Sequence, residues 1–502
     1  MKVVPMDEHN RRLVENTHPP DWKNPDPEPV YNLVVIGGGT AGLVTSAAAA
    51  SLGAKVALVE KHLLGGDCLN VGCVPSKAII RSSRIISDMV NGKQFGIHVN
   101  GHPESDFPAV MERMRRIRSE ISRHDSAKRF SGLGVDLFLG EGTFSGRNSI
   151  EVDGKSLKFK KAVIATGARA YEPPIDGLKE AGFLTNETVF SLTGEPGRMA
   201  VIGAGPIGCE LAQAFNRLGW DVSLFNYHSK IMAREDDDAA SILEDIFERE
   251  GIRMILGGSI TRITRDEDGK TLHYTQGEKE ESITVDEILV GAGRKPNVEG
   301  LNLESVGIKY DPITGVTVND YLQTTNPKIY AAGDICLEHK FTHSADATAR
   351  IVIQNALFFG RKKQSALTIP WCTYTDPEIA HVGLYGRECK ERKIPFETIR
   401  IDFSSVDRAV TDGEEEGFLK VHVKKGSDTI LGATMVARNA GDMISEITLA
   451  MVAGIGLKTI STVIHPYPTQ AEAIRKAGDE YNRKRFTPFL QKVFKKYLSI
   501  IR

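Results

Sequence analysis

Cysteine is scarce in this chain. Six residues in 502 are too few for the dense cross-linking of a small secreted scaffold, and they leave room for one redox pair in a reducing cytosol. Charge of one sign is also lacking: a net charge of −2 gives no reason to expect a nucleic acid or a strongly acidic partner. No apolar run reaches the length of a membrane span. The opening MKVVPMDEHNRRLVENTHPP carries charges throughout and no apolar core, so it reads as neither signal peptide nor anchor. What is there is a soluble globular composition, 41% apolar and 25% charged, in a chain long enough for three or four domains.

Two of the six cysteines lie in GGDCLNVGCVPSK, residues 65 to 77. On one regular helix Cys68 and Cys73 would stand about one and a half turns apart. Their sulfurs can meet only where the helical start is distorted, and such a pair favours a disulfide that opens and closes. A helix N-terminus also lowers a thiol pKa, through its unpaired N–H groups and partial positive charge. Gly65, Gly66 and Gly72 leave room for another molecule to come close. Taken alone, C-x4-C is equally compatible with two buried structural thiols.

The surroundings narrow the reading. Tyr31 to Ile36 is a buried-strand pattern that runs into Gly37, Gly39, Thr40, Ala41 and Gly42, and a second strand ends at Glu60. Strand, glycine turn, helix and an acid about 20 residues on form a dinucleotide fingerprint: the glycines admit a pyrophosphate at the helix N-terminus and the acid accepts ribose hydroxyls. The pattern returns after MAVI, with Gly203, Gly205, Ile207 and Gly208, so two dinucleotides are expected. The second unit's acidic position holds Asn226, with His228 and Lys230 following. Without a carboxylate to repel a 2′-phosphate, NADPH is favoured over NADH.

GGxCxNxGCxPSK, following such a unit, resembles the redox signature of the pyridine nucleotide–disulfide oxidoreductases, and the resemblance covers about residues 31 to 480. It implies an α/β fold with two Rossmann-like dinucleotide-binding domains and a C-terminal α+β dimerisation domain. The expected layout is an extended tail over 1–30, an FAD-binding domain in two parts over 31–185 and 298–366, an inserted NAD(P)-binding domain over 186–297, and an interface domain over 367–502. It also implies FAD against Gly66, Asp67, Ala165, Thr166, Gly167, Gly333 and Asp334, and places Gly293 and Arg294 in a family GxGRxPN feature. Cys73 then becomes the charge-transfer thiolate beside the flavin and Cys68 the interchange thiol. Lys77 is expected near the flavin, paired with Glu210. Members of the family act as homodimers, which is the state expected here, in the cytoplasm.

The substrate end departs from the commonest pattern. Disulfide-reducing members carry a histidine five residues before an acid–base glutamate; here Tyr467 precedes Glu472. Mercuric reductases also have a tyrosine there and are the subgroup most resembled. Those enzymes, however, end in a vicinal cysteine pair, and this chain has no cysteine after Cys389 and no N-terminal C-x-x-C. His465, two residues before Tyr467, is a candidate base through a water. Cys209, Cys336, Cys372 and Cys389 read as ordinary thiols. The expected activity is a FAD-dependent NAD(P)H reductase of a disulfide or a thiol-bound metal ion. Dihydrolipoamide dehydrogenase and a slow-turnover redox sensor are the alternatives. The last segment, from Phe486, reads as a basic amphipathic helix that packs on its own dimer or lies on a membrane surface. No bound metal ion is expected as a cofactor.

Overall fold

The structure, a computed structural model, describes residues 3–101 and 103–502. Runs of Val, Ile, Leu and Ala without polar alternation demand strands covered on both faces. They form a sheet in the order Val135–Leu139, Val56–Glu60, Tyr31–Ile36, Lys155–Ile164, with the late strand Ile329–Ala331 also paired to Lys155–Ile164. These strands are parallel and tightly registered: Val35 lies beside Leu58 on one side and Val163 on the other. Two antiparallel strands, Ser149–Val152 and Thr143–Gly146, extend the edge. Helices Thr40–Ser51 and Thr342–Leu357 supply much of the cover, and Leu33, Val35, Leu58 and Val352 are fully buried between the layers.

A second parallel sheet runs Arg253–Leu256, Asp221–Asn226, Arg198–Ile202, Glu287–Val290. The helix Pro206–Arg217 follows its Arg198–Ile202 strand. A three-stranded antiparallel sheet over 259–285 closes on the same core through Leu272, Tyr274 and Val285. Beyond residue 367 the strands pair antiparallel, in the order Pro370–Thr373, Glu378–Gly383, Ile430–Ala437, Phe418–Lys424, Phe396–Asp402, with the central ones buried along most of their length. Helices Ala440–Val452 and Glu472–Arg485 pack on this sheet.

The chain divides into two compact units. One holds both parallel sheets (Met1–Lys93, His98–Ile231 and Glu250–Leu367) and the other holds Gln94–Ile97, Met232–Arg249 and Thr368–Arg502. The stretch 232–249 therefore groups with the C-terminal unit instead of the nucleotide-binding segment 186–297 to which its sequence position assigned it. The reason is local. Glu235 accepts from Trp371 Nε1 at 2.9 Å and Tyr385 Oη at 2.6 Å, and Lys420 Nζ reaches Asp236 at 3.0 Å and Asp238 at 2.6 Å.

The N-terminus differs from an extended tail. Glu8–Thr17 is a helix, N-capped by Asp7, whose carboxylate accepts from the Asn10 amide at 2.8 Å. Leu13 is 1% exposed, and Asn10 Oδ1 accepts from buried Arg118 at 2.6 Å. The proline-rich remainder is extended and docked: Trp22 and Asn24 donate to the Leu137 and Leu139 carbonyls of the edge strand. Prolines set the conformation of residues 19–30, but the preceding ten have no helix breaker, and Leu13 finds a core.

Candidate active site

The two cysteines do not share a helix. A short helix Gly66–Asn70 carries Cys68, the chain breaks at Val71 and Gly72, and Cys73 opens an 18-residue helix, Cys73–Val90. The break is the distortion that lets the side chains meet. It needs Gly72, because a Cβ there would stand 2.8 Å from the Asp67 carbonyl oxygen. Gly66 lies at φ +57, and a Cβ there would stand 2.6 Å from Gly39 Cα. The redox turn thus packs directly on the first glycine loop.

Both cysteines are thiols not bonded to each other, joined by a hydrogen bond. That bond comes first among the causes that bring the Cys73 pKa down, with Thr342 and the Lys77 cation also lowering it against burial. Thr342 Oγ1 lies 3.3 Å from Cys73 Sγ. The same bond, together with burial, pushes Cys68 up. The preferred ionisation is therefore a Cys73 thiolate receiving the Cys68 S–H, at a helix N-terminus whose dipole favours the anion.

Lys77 stands one turn along the same helix. Its Nζ donates to Glu210 Oε2 at 2.7 Å, and Glu210 is 6% exposed on the helix Pro206–Arg217. A buried carboxylate on one Rossmann helix is thereby matched to a cation on the redox helix. Arg294 ties the other side. It donates to the Asp67 carboxylate, next to Cys68, and to the Ala168 carbonyl at 2.7 Å, and its Nε lies 3.6 Å from Asp334. Asp67, Asp334 and Arg294 are one cluster, which puts Arg294 among the residues expected at the FAD site. Burial raises the Asp334 carboxyl, opposed by Arg294.

The glycine loops fit dinucleotides. A Cβ on Gly42 would stand 1.7 Å from the Gly37 carbonyl oxygen, and one on Gly208 would stand 1.8 Å from that of Gly203, so each loop closes onto its helix as a pyrophosphate turn requires. Gly205 has open space where a side chain would project. Thr40 and Ala41 begin the first helix and Ile207 lies in the first turn of the second. Glu60 accepts from Gly38 N at 2.5 Å and His62 N at 2.6 Å, and each carboxylate oxygen keeps acceptor capacity for a ribose hydroxyl. Asn297 pins the Ala165–Thr166–Gly167 turn: its Nδ2 donates to Thr166 O and Thr166 Oγ1 donates to its carbonyl, both at 2.9 Å. Gly333, at φ +79, sits against Ala41 and Ala345. In the second loop Asn226 Nδ2 donates to the Lys230 carbonyl at 2.6 Å, while His228 and Lys230 are exposed; Gly293, past the end of the strand Glu287–Val290, has open space where a side chain would project.

The remaining candidates belong to the C-terminal unit. Tyr467 is 71% exposed and donates to Asp407 Oδ2 at 2.8 Å, a bond that raises its pKa. Glu472 is 7% exposed; one oxygen accepts from Arg475 at 2.6 Å and the other is buried without a partner among the described residues. His465 is held by its own unit, with Nε2 at 3.0 Å from Glu446 and Nδ1 at 3.2 Å from the Val463 carbonyl. The structure therefore gathers Cys68, Cys73, Lys77, Glu210, Asp67, Arg294 and Asp334. Sequence reasoning missed Thr342, whose only signal is its place at the start of the helix after Asp334, and the partners Asp407 and Glu446. Among the described residues no group of three or more His, Cys, Asp or Glu could hold a metal ion.

A doubly wound α/β core carrying a helix-breaking cysteine pair between two glycine loops defines a flavin-linked dithiol oxidoreductase. Residues 31–350 match the pyridine nucleotide-disulphide oxidoreductase family and residues 369–478 match its dimerisation domain. The chain belongs to this family, whose members use FAD and NAD(P)H. Mercuric reductase of Staphylococcus aureus is 33% identical over 453 residues, 90% of this chain and 83% of that one. Dihydrolipoyl dehydrogenase of Thermus scotoductus is 33% identical over 463 residues, 90% and 98% of the two chains. Among solved structures, the HOCl-induced flavoprotein disulfide reductase RclA of Escherichia coli superposes with a TM-score of 0.80 at 24% identity, covering 89% of this chain and 99% of that one.

Proposed function

We propose that this protein is an NADPH-preferring reductase of a small disulfide or a thiol-bound metal ion, acting through Cys68 and Cys73. The observation that carries the reading is the broken helix that puts Cys68 on one short helix and Cys73 at the N-terminus of the next, beside Thr342 and one turn from Lys77, because a dithiol so divided has one sulfur placed to hold an anion and one left to meet substrate. When bound, FAD supplies the two-electron relay between NAD(P)H and this pair. The groups available to hold it are the loop from Gly37 to Gly42, Glu60, Asp67 and Asp334; the loop from Gly203 to Gly208 is the corresponding place for NADPH. Lys77, held by Glu210, keeps a positive charge one helical turn from Cys73.

The outward half-reaction balances on these residues. Cys68 loses its proton to a base and its sulfur attacks one sulfur of the acceptor disulfide, forming a mixed disulfide and releasing one thiolate. Cys73 then attacks the Cys68 sulfur, closing the Cys68–Cys73 disulfide and releasing the second thiolate. Two electrons have left the dithiol. Glu472 is the group offered for that proton, from the partner subunit of a homodimer, and the Tyr467 hydroxyl five residues before it is offered as a hydrogen-bond donor to the departing substrate sulfur. Mercuric reductase is the subgroup favoured by Tyr467, and a disulfide or a metal ion carried by thiols is the acceptor class that the Cys68–Cys73 pair suits.

Anaerobic titration with NADPH followed by small disulfides, quinones and thiol-bound metal ions tests this. Repeated cycling with one acceptor class is expected, and Cys68→Ser and Cys73→Ser should each abolish disulfide turnover with flavin retained. Turnover surviving in both variants refutes the assignment. Reduction that stops after one equivalent would make the protein a sensor. Asn226→Asp should shift the NADPH-to-NADH preference at least tenfold toward NADH, read as the ratio of kcat/KM values, because the new carboxylate repels a 2′-phosphate.

A further inference from the structure

The C-terminal helix Pro488–Ile500 starts at a Thr487 N-cap and buries none of its residues. Its large side chains are open to solvent: Phe489 is 73% exposed, Tyr497 56%, Leu498 57% and Ile500 74%. At 3.6 residues per turn every apolar side chain from Phe489 to Ile501 falls in one half of the helix circumference. Gln491, Lys492, Lys495, Lys496 and Ser499 fill the other half, with no mixing. Charge is segregated as sharply. The last 20 residues carry seven Lys or Arg and no Asp or Glu, so in a chain of net charge −2 the rest holds −9.

Nothing in the C-terminal unit calls for this helix as core. The buried cluster of that unit ends at Tyr481, and the match to the family's dimerisation domain ends at residue 478. Among the described residues, the ring contact on its apolar side is internal to the segment, Phe486 stacked on Phe494 at 5.5 Å. A second copy of an overall acidic chain could neutralise the cations, but the match to the family's dimerisation domain ends ten residues before the helix begins. A fully segregated half-apolar, half-cationic helix with aromatic residues on the apolar side instead matches the boundary of a lipid bilayer: rings and aliphatic chains enter the acyl edge and lysines meet anionic headgroups.

We infer that residues 486–502 form a docking helix for an anionic membrane surface, which would hold the reductase on a bilayer without crossing it. No helix among the described residues is long and apolar enough to cross one.

The test uses FAD-loaded full-length protein and a chain cut after Arg485, which retains the whole core cluster. Both are sedimented with vesicles of phosphatidylcholine alone and of phosphatidylcholine with a quarter phosphatidylglycerol. The full chain should bind the anionic vesicles at least tenfold more tightly than the neutral ones, and binding should weaken as salt rises. The cut chain should lose it. A triple variant Lys492→Glu, Lys495→Glu, Lys496→Glu, which leaves the apolar half intact, should also lose at least tenfold in affinity. Equal partition of full and cut chains overturns the inference. So does a cut chain that turns monomeric when the full chain is dimeric and neither binds vesicles, an outcome that assigns the helix to a second copy. NADPH-dependent turnover in buffer reports independently on the reading of the active site.

Discussion

At the scale of single residues, two sulfurs of the same element type are made chemically unequal by what each touches. Cys73 has a thiol donor, a hydroxyl and a lysine cation around it, and its pKa falls; Cys68 gives its proton to that bond and is pushed the other way. In the reduced protein the Cys73 thiolate should therefore persist to a lower pH than an ordinary thiolate and disappear as pH falls through its lowered pKa. Ultraviolet thiolate absorbance, or the pH dependence of iodoacetamide alkylation, should show a midpoint well below that of an ordinary thiol. Cys68→Ala removes the leading cause and should move the midpoint up by more than Lys77→Met, which removes only a Coulombic contribution. A midpoint in Cys68→Ala at the wild-type value would show that the sulfur–sulfur hydrogen bond is not what sets the acidity.

At the scale of elements, the N-terminal helix and the redox turn are linked through one buried cation. Arg118, 5% exposed, donates to the Asn70 carbonyl at the end of the Cys68 helix at 2.7 Å and to Asn10 Oδ1 at 2.6 Å, and burial lowers its pKa to about 10. Arg118→Ala would strand both acceptors in a dry site, at a cost of about 2–4 kcal/mol. A lower melting temperature and faster proteolysis before residue 20, with flavin content unchanged, are the expected results. The antiparallel sheet of the C-terminal unit holds a buried titratable group of the opposite kind, one kept neutral. His381 is fully buried between Thr434 and the Gly383 carbonyl, its ring 3.6 Å from that of Tyr385, and burial lowers its pKa to about 3. The unfolded chain binds this proton near pH 6.5 and the folded chain only near pH 3, so stability is full above 6.5 and falls by about 1.4 kcal/mol per pH unit between those limits. His381→Gln should flatten that part of a urea-denaturation pH profile. These contacts mark the limit of what the sequence discloses. Glycine spacing, strand hydrophobicity and the cysteine stretch are local signals, so both Rossmann units and the redox turn were legible. Arg118 with Asn10, Thr342 with Cys73 and Tyr467 with Asp407 join residues far apart in the chain, and no periodicity or spacing encodes such pairs. The helix Glu8–Thr17 was hidden for a related reason: the prolines after it dominate the composition, while the burial of Leu13 that rewards helix formation comes from tertiary packing.

At the scale of the whole molecule, the dimerisation domain makes a claim that a single chain leaves unmet. Within its matched segment several large apolar side chains are open to solvent, with Leu449 65% exposed, Val452 66% and Ile464 93%, and Tyr467 sits three residues beyond Ile464. Isolated apolar residues on a surface need no explanation, but exposed side chains of this size within a domain that pairs two subunits are where the free energy of association comes from. Leu449→Glu with Ile464→Glu places two charges where burial would leave them unpaired, a penalty of several kcal/mol against assembly. Sedimentation equilibrium should show the variant as a monomer that keeps its flavin, since every FAD-site candidate lies in the other compact unit. If Tyr467 and Glu472 serve the cysteine pair of the opposite subunit, disulfide turnover should fall at least tenfold in that monomer while reduction by NADPH in the absence of acceptor survives. A monomer with undiminished disulfide turnover would instead locate the proton acceptor for Cys68 within its own chain, and Tyr467 would lose its proposed role.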